Sequence, residues 1–281
     1  MRLFDIEVRN MRPDEVHIPI EWAREEGWNP GIHDGESQYP ADPEGWFCVL
    51  TNDMIIGVGA VTNYDEKFSF MGYFIVKVGY RQTYAGIALI KAFLRHAGGR
   101  NLGIDGVFEL QQRYSDSLGM KFAYRNIRWE GIATGIPQPD LVPAPELPFE
   151  DLIDYDSCHF PAVRRVFLEQ WINMPDSYSL ACVEGRKIIG YGTIRKCFNG
   201  HKIGPLFAGN PVIAEKIFQG LTSFVTGEPV FLDTPEPNGA AMALARRHGM
   251  EQVFGTARMY SNYIPDMPLD EIFGVTTFEM G

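Results

Sequence analysis

The sequence has little that would place the protein in a membrane or an oxidising compartment. No run approaches the roughly 18–20 consecutive apolar residues that span a bilayer, and the first ten residues, MRLFDIEVRN, lack the apolar core of a secretion signal. The four cysteines, Cys48, Cys158, Cys182 and Cys197, form no CxxC pair. Three of them lie in apolar or strand-like stretches, which is typical of buried thiols in a reducing compartment. We therefore expect a cytoplasmic globular protein.

Positive charge and metal-ligand patterns are also scarce. The chain has 25 Lys and Arg against 36 Asp and Glu, a net charge of -11, whereas a nucleic-acid interface needs concentrated basic residues. The six histidines follow no ligand spacing, so no metal site is predicted. Neither a GxSxG nor a Walker loop is present. The acidic surplus is compatible with an amine-bearing substrate, although surplus acid usually serves only solubility.

What the chain does contain is a long internal repeat. IIGVG at 55–59 returns as IIGYG at 188–192, MGYF at 71–74 has a loose counterpart in IGPLF at 203–207, and LGM at 118–120 returns as HGM at 248–250. The pairs keep their order and an offset of about 130 residues, far beyond the roughly 20–50 residues of solenoid repeats. We predict an N-terminal domain over 1–130, a proline-rich linker over 131–148 and a C-terminal domain over 149–281.

Hydrophobic periodicity predicts an α+β mixture in each half. In the first half the predicted strands are 3–8, 46–50, 54–63, 68–78, 102–108 and 122–129, and the predicted helices are 13–26, 87–97 and 111–118, with a long loop over 27–45. In the second half the predicted helices are 161–172, 211–225 and 238–248, and the predicted strands are 179–183, 187–196, 201–207, 230–233 and 251–260. This order predicts a mixed central sheet flanked by helices in each half.

A candidate anion-binding loop follows the strand predicted at 68–78. YRQTYAG at 80–86 leads into the helix predicted at Ile87. A helix N-terminus leaves N–H groups unpaired and carries a partial positive charge, so it attracts phosphate oxygens. Small residues at Ala85 and Gly86 would allow a ligand close to the backbone. Taken alone, the loop favours an ordinary strand–helix turn.

The first half as a whole resembles the Gcn5-related N-acetyltransferase (GNAT) superfamily. The similarity covers EGWNPG at 26–31, DPEGWF at 42–47, the YRQTYAG loop, LGIDGV at 102–107, QQRYSDSLGM at 111–120 and FAYRNIRW at 122–129. GPLFAGNP at 204–211 and VFLDTPEPN at 230–238 extend it to a bacterial subgroup with a second, diverged GNAT-like domain. The resemblance implies tandem GNAT (acyl-CoA N-acyltransferase) folds.

The resemblance also implies an activity. The expected enzyme transfers an acetyl or short acyl group from acetyl-CoA to the amine of a small molecule, by direct attack in a ternary complex. The alternative is a pair of GNAT-like domains that have lost catalysis and bind an acyl-CoA or a metabolite as a sensor.

The implied cofactor site lies between the strands predicted at 68–78 and 102–108. The resemblance places the pantetheine arm along Ile75, Val76, Lys77 and Val78, and the diphosphate on Arg81, Gln82, Thr83, Tyr84, Ala85, Gly86 and Ile87. An N–H near Val76 is expected to stabilise the oxyanion. The loop departs from the family pattern at Tyr84, which stands where the family has a glycine. Its side chain either crowds the diphosphate or points outward.

The acid that protonates the thiolate is a second departure. The family position, usually a tyrosine, is Ser115 here, and Tyr114 lies one residue away, about 100° around the helix. The acid is therefore Ser115, Tyr114 or bulk water. Glu26 is a further candidate catalytic group.

The second half has diverged further. Asn210 and Pro211 are a good N-cap and a good first helical residue, with no Arg-rich glycine loop before them, and Ala245 stands at the tyrosine position. We predict that this half binds no CoA and forms a wall over the acceptor site. Acids beside aromatics suit an amine, and the acceptor candidates are Glu25, Trp28, Asn29, Asp34, Tyr39, Asp233 and Glu236. The alternative for each is ordinary packing, helix capping or a solvated surface position.

Overall fold

The structure is a computed structural model that describes residues 5–281. The first half contains, in chain order, β1 (Glu7–Asn10), α1 (His17–Glu25), α2 (Asp34–Gln38), β2 (Trp46–Thr51), β3 (Met54–Asn63), β4 (Phe68–Val76), α3 (Tyr84–Ala97), β5 (Asn101–Val107), α4 (Gln111–Leu118) and β6 (Lys121–Ile132). The strand predicted at 3–8 lies partly outside the described residues, and β1 begins at Glu7.

The second half repeats this order of elements. It contains β7 (Val142–Pro143), α5 (Phe149–Ser157), α6 (Arg165–Ile172), β8 (Ser177–Glu184), β9 (Lys187–Lys196), β10 (His201–Ala208), α7 (Pro211–Ser223), β11 (Pro229–Pro235), α8 (Gly239–Arg247), β12 (Glu251–Tyr260) and β13 (Ile272–Gly274). Apart from β13, each element has a counterpart in the first half. The α+β class with helix-flanked mixed sheets, predicted from the sequence, is confirmed.

The two halves share one sheet, and they exchange their last long strands. The strands run in the order β1-β2-β3-β4-β5-β12-β6-β11-β10-β9-β8-β7, and β13 pairs with β10. Thus β12, from the second half, pairs with β5 of the first half, while β6 pairs with β11 of the second half. The same two strands pair with each other at the centre of the sheet.

This exchange carries core residues with it. Ala257 and Met259 of β12 lie in the core beneath α3 and α4, in the first half. Ile127 and Trp129 of β6 lie in the core beneath α7 and α8, in the second half. Each half therefore buries its apolar surface only with the other half's last strand in place.

Local sequence sets the ends of the helix that matters most for the site. The Thr83 side chain accepts a hydrogen bond from the Ala85 N–H at the start of α3, and Gly98 ends the helix in the left-handed conformation with φ of 61°. Between these ends Leu89, Phe93 and the small residues around them are buried against the sheet. None of the helices within residues 5–281 is long and apolar enough to cross a bilayer.

Several predicted bounds differ from the structure. The predicted loop over 27–45 contains α2, the predicted helix over 161–172 begins only at Arg165, and α5 and β13 were not predicted. Residues 131–148, the predicted linker, begin inside β6 and include β7, which pairs with β8. The predicted domain boundaries remain a prediction, to which the structure adds the strand exchange.

Candidate functional site

Two neighbouring parallel strands part in the middle of the first half. β4 and β5 pair only from Phe68 and Asn101 to Met71 and Ile104. Beyond that point β4 continues to Val76 and β5 to Val107, with no pairing between them. The N-terminus of α3 stands at the end of β4. The result is a V-shaped cleft whose edges are strand backbone.

A β-bulge marks the point at which the strands part. Val58 faces Ile75 and Ala60 faces Gly72, so that one residue of β3 opposes two of β4. Tyr73, in the bulge, has φ of 52°, which is unusual for a residue other than glycine. Its hydroxyl donates to Gln38 Oε1 at 2.9 Å, so a buried side-chain contact holds the bulge. The bulge therefore lies at the narrow end of the cleft, next to the last paired residues of β4 and β5.

The loop predicted to hold a diphosphate lies at the wide end of the cleft. Arg81 Nε donates to the Val76 carbonyl at 2.9 Å, and its Nη2 pairs with Glu26. Gln82 is held at φ of 64°. Within residues 5–281, the N–H groups of Gln82 and Gly86 have no acceptor. These donors are available to an anion at the positive end of α3.

The structure settles the direction of the Tyr84 side chain. The Tyr84 hydroxyl accepts a hydrogen bond from Lys91 Nζ at 3.1 Å, seven residues along α3, and the ammonium also lies over the ring. The ring therefore lies along the helix surface, away from the loop amides. Ala85 is fully buried in the core, so that only its backbone borders the loop. At Gly86 a Cβ would meet only Phe74, at 3.5 Å, and Val76, at 3.9 Å.

The two candidates for the thiolate acid have different surroundings. The ring of Tyr114 packs so closely on β5 that a Cβ at Gly106 would lie 2.3 Å from Tyr114 Cε2. Gly106 is in the part of β5 that has left β4. The Tyr114 hydroxyl has no partner among the described residues, and burial raises its pKa. By contrast, Ser115 Oγ donates to the Met120 carbonyl at 3.0 Å.

The corresponding cleft of the second half is filled by the chain itself. β10 and β11 pair from His201 and Val230 to Ile203 and Leu232 and then part. β13 lies in this gap and pairs with β10 on one side. On the other side the Val275 N–H donates to the Asp233 carbonyl of β11 at 2.8 Å. A Cβ at Gly274 would lie 2.8 Å from Leu232 Cδ1 and 3.2 Å from Leu206 Cβ, so the strand fills the gap closely.

The helix that follows the second cleft is also satisfied by its own residues. The Asn210 side chain accepts from the N–H groups of Val212 and Ile213 at 3.0 and 3.1 Å. Pro211 has no N–H to offer. The described N-terminus of α7 thus lacks the unpaired N–H groups that the N-terminus of α3 presents.

Most of the predicted acceptor residues form the junction between the halves. Asp34 is fully buried and bonds Arg195 of β9 at 2.8 Å. The Asn29 side chain bonds the backbone of Asn199 at 2.9 Å. The Trp28 carbonyl accepts from Arg128 at 2.6 Å. These groups hold the loop after α1 against the second half.

Two of the predicted acids are neutralised there. Besides the Asp34 pair, Asp233 receives both Nε and Nη2 of Arg128 at 2.7 Å. Burial acts to raise the pKa of Asp233, but the guanidinium outweighs it and the pKa lies below its ordinary value. Lys202, also buried, donates to the Asn29 carbonyl at 2.8 Å, and burial lowers its pKa. These acids therefore meet protein cations.

The remaining predicted residues lie apart from this junction. Tyr39 packs on Trp46, with ring centroids 6.0 Å apart. Glu25 is exposed at the end of α1, and Glu236 is exposed after β11, where its N–H donates to the Arg125 carbonyl. Glu26 lies beside the diphosphate loop through its pair with Arg81.

Sequence reasoning placed no strand and no site residue in the last ten residues of the chain, which border both clefts. From β13 the backbone passes Gly204, in the bulge of β10, and then Gly72, the residue before the bulge of β4. A Cβ at Gly204 would lie 2.3 Å from the Thr276 carbonyl oxygen, and one at Gly72 would lie 2.1 Å from that of Glu279. The only signal was that both repeat copies, MGYF and IGPLF, keep a glycine at this position.

The comparisons with known proteins agree with this architecture. A family model described as an acetyltransferase (GNAT) domain matches residues 152–274, in the second half. A holothin acyltransferase from Pseudoalteromonas sp. (strain SANK 73390) is 27% identical over 271 residues, covering 95% of this chain and 92% of that protein. A candidate acetyltransferase from Pyrococcus horikoshii superposes with a TM-score of 0.84 at 21% identity, over 100% of this chain and 98% of that one.

A second solved structure shares the duplicated plan. It is a tandem GNAT protein from the clavulanic acid biosynthesis pathway, which superposes with a TM-score of 0.64 at 13% identity over 93% of this chain and 100% of that one. Residues 152–274 thus match a GNAT family model, and the chain shares the fold of these two solved structures. The tandem GNAT fold predicted from the sequence is confirmed, and the family match and the acyltransferase relative support an acyltransferase activity.

Proposed function

We propose that this GNAT protein transfers an acetyl or short acyl group from acyl-CoA to the amine of a small molecule, and that only the first half binds the cofactor. The observation that carries the proposal is the contrast between the two clefts. In the first half, β4 and β5 do not pair beyond Met71 and Ile104, and the N–H groups of Gln82 and Gly86 have no acceptor among the described residues. The cleft of the second half holds β13 and a capped helix.

The residues of the first cleft fit an acyl-CoA. The free edge of β4 offers backbone groups to the amide-rich pantetheine arm, and the start of α3 offers N–H groups to the diphosphate. Arg81 can exchange Glu26 for a phosphate, because the side chains of this pair are partly exposed and exposed ion pairs contribute little to stability. The thioester would then lie at the bulge around Tyr73, where backbone N–H groups stabilise the negative charge that develops on its oxygen.

Proton transfer follows from the same geometry. The amine nitrogen attacks the thioester carbon, the C–S bond breaks, and the leaving thiolate takes a proton. Tyr114 supplies that proton, because its hydroxyl has no described partner and its raised pKa keeps it protonated. The Ser115 hydroxyl is already engaged with the Met120 carbonyl. The second half covers the acceptor side of β4 and shapes the space for the amine.

The relative named as a holothin acyltransferase supports a small-molecule acceptor for this chain as well. The test is calorimetry with CoA, acetyl-CoA and a short acyl-CoA series, followed by an assay of thiol release with small primary amines. The proposal expects micromolar binding, one cofactor per chain, and amine-dependent release of CoA. Two cofactors per chain would contradict the single-site assignment, and no binding would contradict the transferase.

A further inference from the structure

The carboxylate of Glu279 differs from the other buried acids of the protein. Within residues 5–281, Asp34, Asp105, Asp156 and Asp233 each bond a guanidinium at 2.6 to 2.8 Å. Glu279 is 4% exposed and has no ion pair among the described residues. Its carboxylate accepts a hydrogen bond from the Thr277 hydroxyl at 2.7 Å. A buried carboxylate without a bonded cation is costly unless it has another role.

The position of Glu279 is as informative as its lack of a cation. Its backbone lies against Gly72, the residue before the bulge where β4 leaves β5. This is the narrow end of the first cleft, where the proposed function places the thioester. The last ten residues, 272–281, form a C-terminal tail. This tail approaches from the face of β4 opposite α3, which is the face covered by the second half. A base for the attacking amine is needed on that side.

The tail is held firmly on both sides of Glu279. On one side the Arg128 guanidinium lies 4.6 Å above the Phe278 ring. On the other, the Met280 carbonyl accepts from the Tyr64 hydroxyl at 2.8 Å, and Thr62 contacts its sulfur. β13 anchors the start of the tail in the second cleft. Several fixed contacts thus position one carboxylate.

The electrostatic surroundings leave the carboxylate available. Its charge contributes to the raised pKa values of Tyr73, Arg128 and Arg195. Each of these residues bonds another partner, which is Gln38, Asp233 and Asp34, respectively. Neither guanidinium forms an ion pair with Glu279. An ammonium or amine entering here would find an acceptor oxygen that the protein has not used.

We propose that Glu279 is the general base of the first-half site and binds the acceptor amine. This rests on the proposed function. The amine N–H donates to the Glu279 carboxylate, which takes the proton as nitrogen attacks the thioester carbon. The C–S bond then breaks and Tyr114 protonates the sulfur, giving an amide and CoA with a free thiol. Glu279 returns its proton to solvent and Tyr114 regains one, so the cycle closes. The strand that fills the second cleft thus places the base of the first.

The test compares wild type with Glu279→Gln, Glu279→Asp and a control, Glu251→Gln, which changes an exposed acid at the start of β12. Each protein is first titrated with CoA. Thiol release from acetyl-CoA is then followed with a panel of primary amines, and with water alone, from pH 5.5 to 9. We expect unchanged CoA affinity in all variants. We expect kcat to fall about 100- to 10,000-fold in Glu279→Gln, with loss of the acid limb of the pH profile. Glu279→Asp should keep the limb at a lower kcat.

The outcomes separate this inference from the proposed function. If Glu279→Gln binds CoA and keeps kcat within about two-fold of wild type, Glu279 is not the base, while the transferase assignment stands. A fall in CoA affinity and unfolding temperature without a change in the pH profile would give the tail a structural role only, and would overturn the inference. If wild type binds no CoA, or binds it and releases no thiol with any acceptor, the proposed function fails and this inference fails with it.

Discussion

A negative charge at Gly86 should remove cofactor binding while leaving the fold intact. Gly86 is the third residue of α3, and a Cβ there would make ordinary contacts with Phe74 at 3.5 Å and Val76 at 3.9 Å. An aspartate in the first helical turn favours the helix by about 0.3–1 kcal/mol. The same carboxylate would stand at the unpaired amides where the diphosphate is expected.

The size of the effect follows from Coulomb's law. Two unit charges about 5 Å apart at an effective dielectric constant of about 20 repel by about 3 kcal/mol. The diphosphate carries more than one charge, whereas salt screens the repulsion, so about 3 kcal/mol is a fair net figure. This weakens the Kd for CoA by about 100-fold or more. The loss should shrink as ionic strength rises.

The assay is calorimetry with CoA on Gly86→Asp and on Gly86→Asn, a neutral control of the same size, together with thermal unfolding of both. We expect Gly86→Asn to bind within a few-fold of wild type and both variants to unfold near the wild-type temperature. Unchanged CoA affinity in Gly86→Asp would refute the location of the diphosphate. An equal loss in both variants would mean that bulk, rather than charge, is responsible.

Three other predictions concern the acid, the junction and pH. Tyr114→Phe should lower kcat by about 100-fold with little change in CoA affinity, whereas Ser115→Ala should keep kcat within a few-fold of wild type. Steady-state kinetics on the two variants test this. A larger fall in kcat for Ser115→Ala than for Tyr114→Phe would assign the acid to Ser115. Asp34→Asn should lower the free energy of unfolding by about 3–5 kcal/mol by leaving Arg195 buried and unpaired; a loss under 1 kcal/mol in urea unfolding would contradict this. Burial and a neighbouring lysine lower the pKa of His201. The folded state therefore holds fewer protons than the unfolded state below about pH 6.5, and the free energy of unfolding falls as pH drops from about 7 to about 5. His201→Gln should weaken that fall in urea unfolding, and an identical pH dependence would show that His201 does not cause it.

The repeated pattern of apolar residues made much of the fold predictable. The offset of about 130 residues between IIGVG and IIGYG corresponds to β3 and β9, which occupy the same place in the two halves. β12 has the predicted bounds, and the predicted helix at 87–97 lies within α3. These elements are long and strongly periodic, which is where sequence patterns are most informative.

The strand exchange could not be predicted in this way. Alternating apolar residues specify which face of a strand is buried, but they do not specify its neighbours. β6 and β12 are counterparts with similar patterns, so either could complete either half. Their partners are fixed by particular contacts, such as Arg128 of β6 with Asp233 of β11. Such pairs have no local signature.

The candidate site also has a part that was predictable from the sequence and a part that was not. The predicted diphosphate loop at 80–86 is local in sequence, but α3 begins at Tyr84 rather than at the predicted Ile87, so the last three residues of the loop form the first turn of the helix. The proposed acceptor side depends on residues far apart in the chain. Gly72 and Glu279 meet because β13, a strand of three residues that is too short to show a period, leads the chain to β4. The acids expected to meet an amine, Asp34 and Asp233, instead meet guanidiniums from other strands. Burial of their partners was invisible in the sequence.

The most direct test of the account is a crystal structure of the protein grown with CoA. We expect one cofactor per chain, with its pantetheine between β4 and β5, its diphosphate at Gln82 and Gly86, and β13 still between β10 and β11. Density for CoA between β10 and β11, with β13 displaced, would contradict the assignment of the active half.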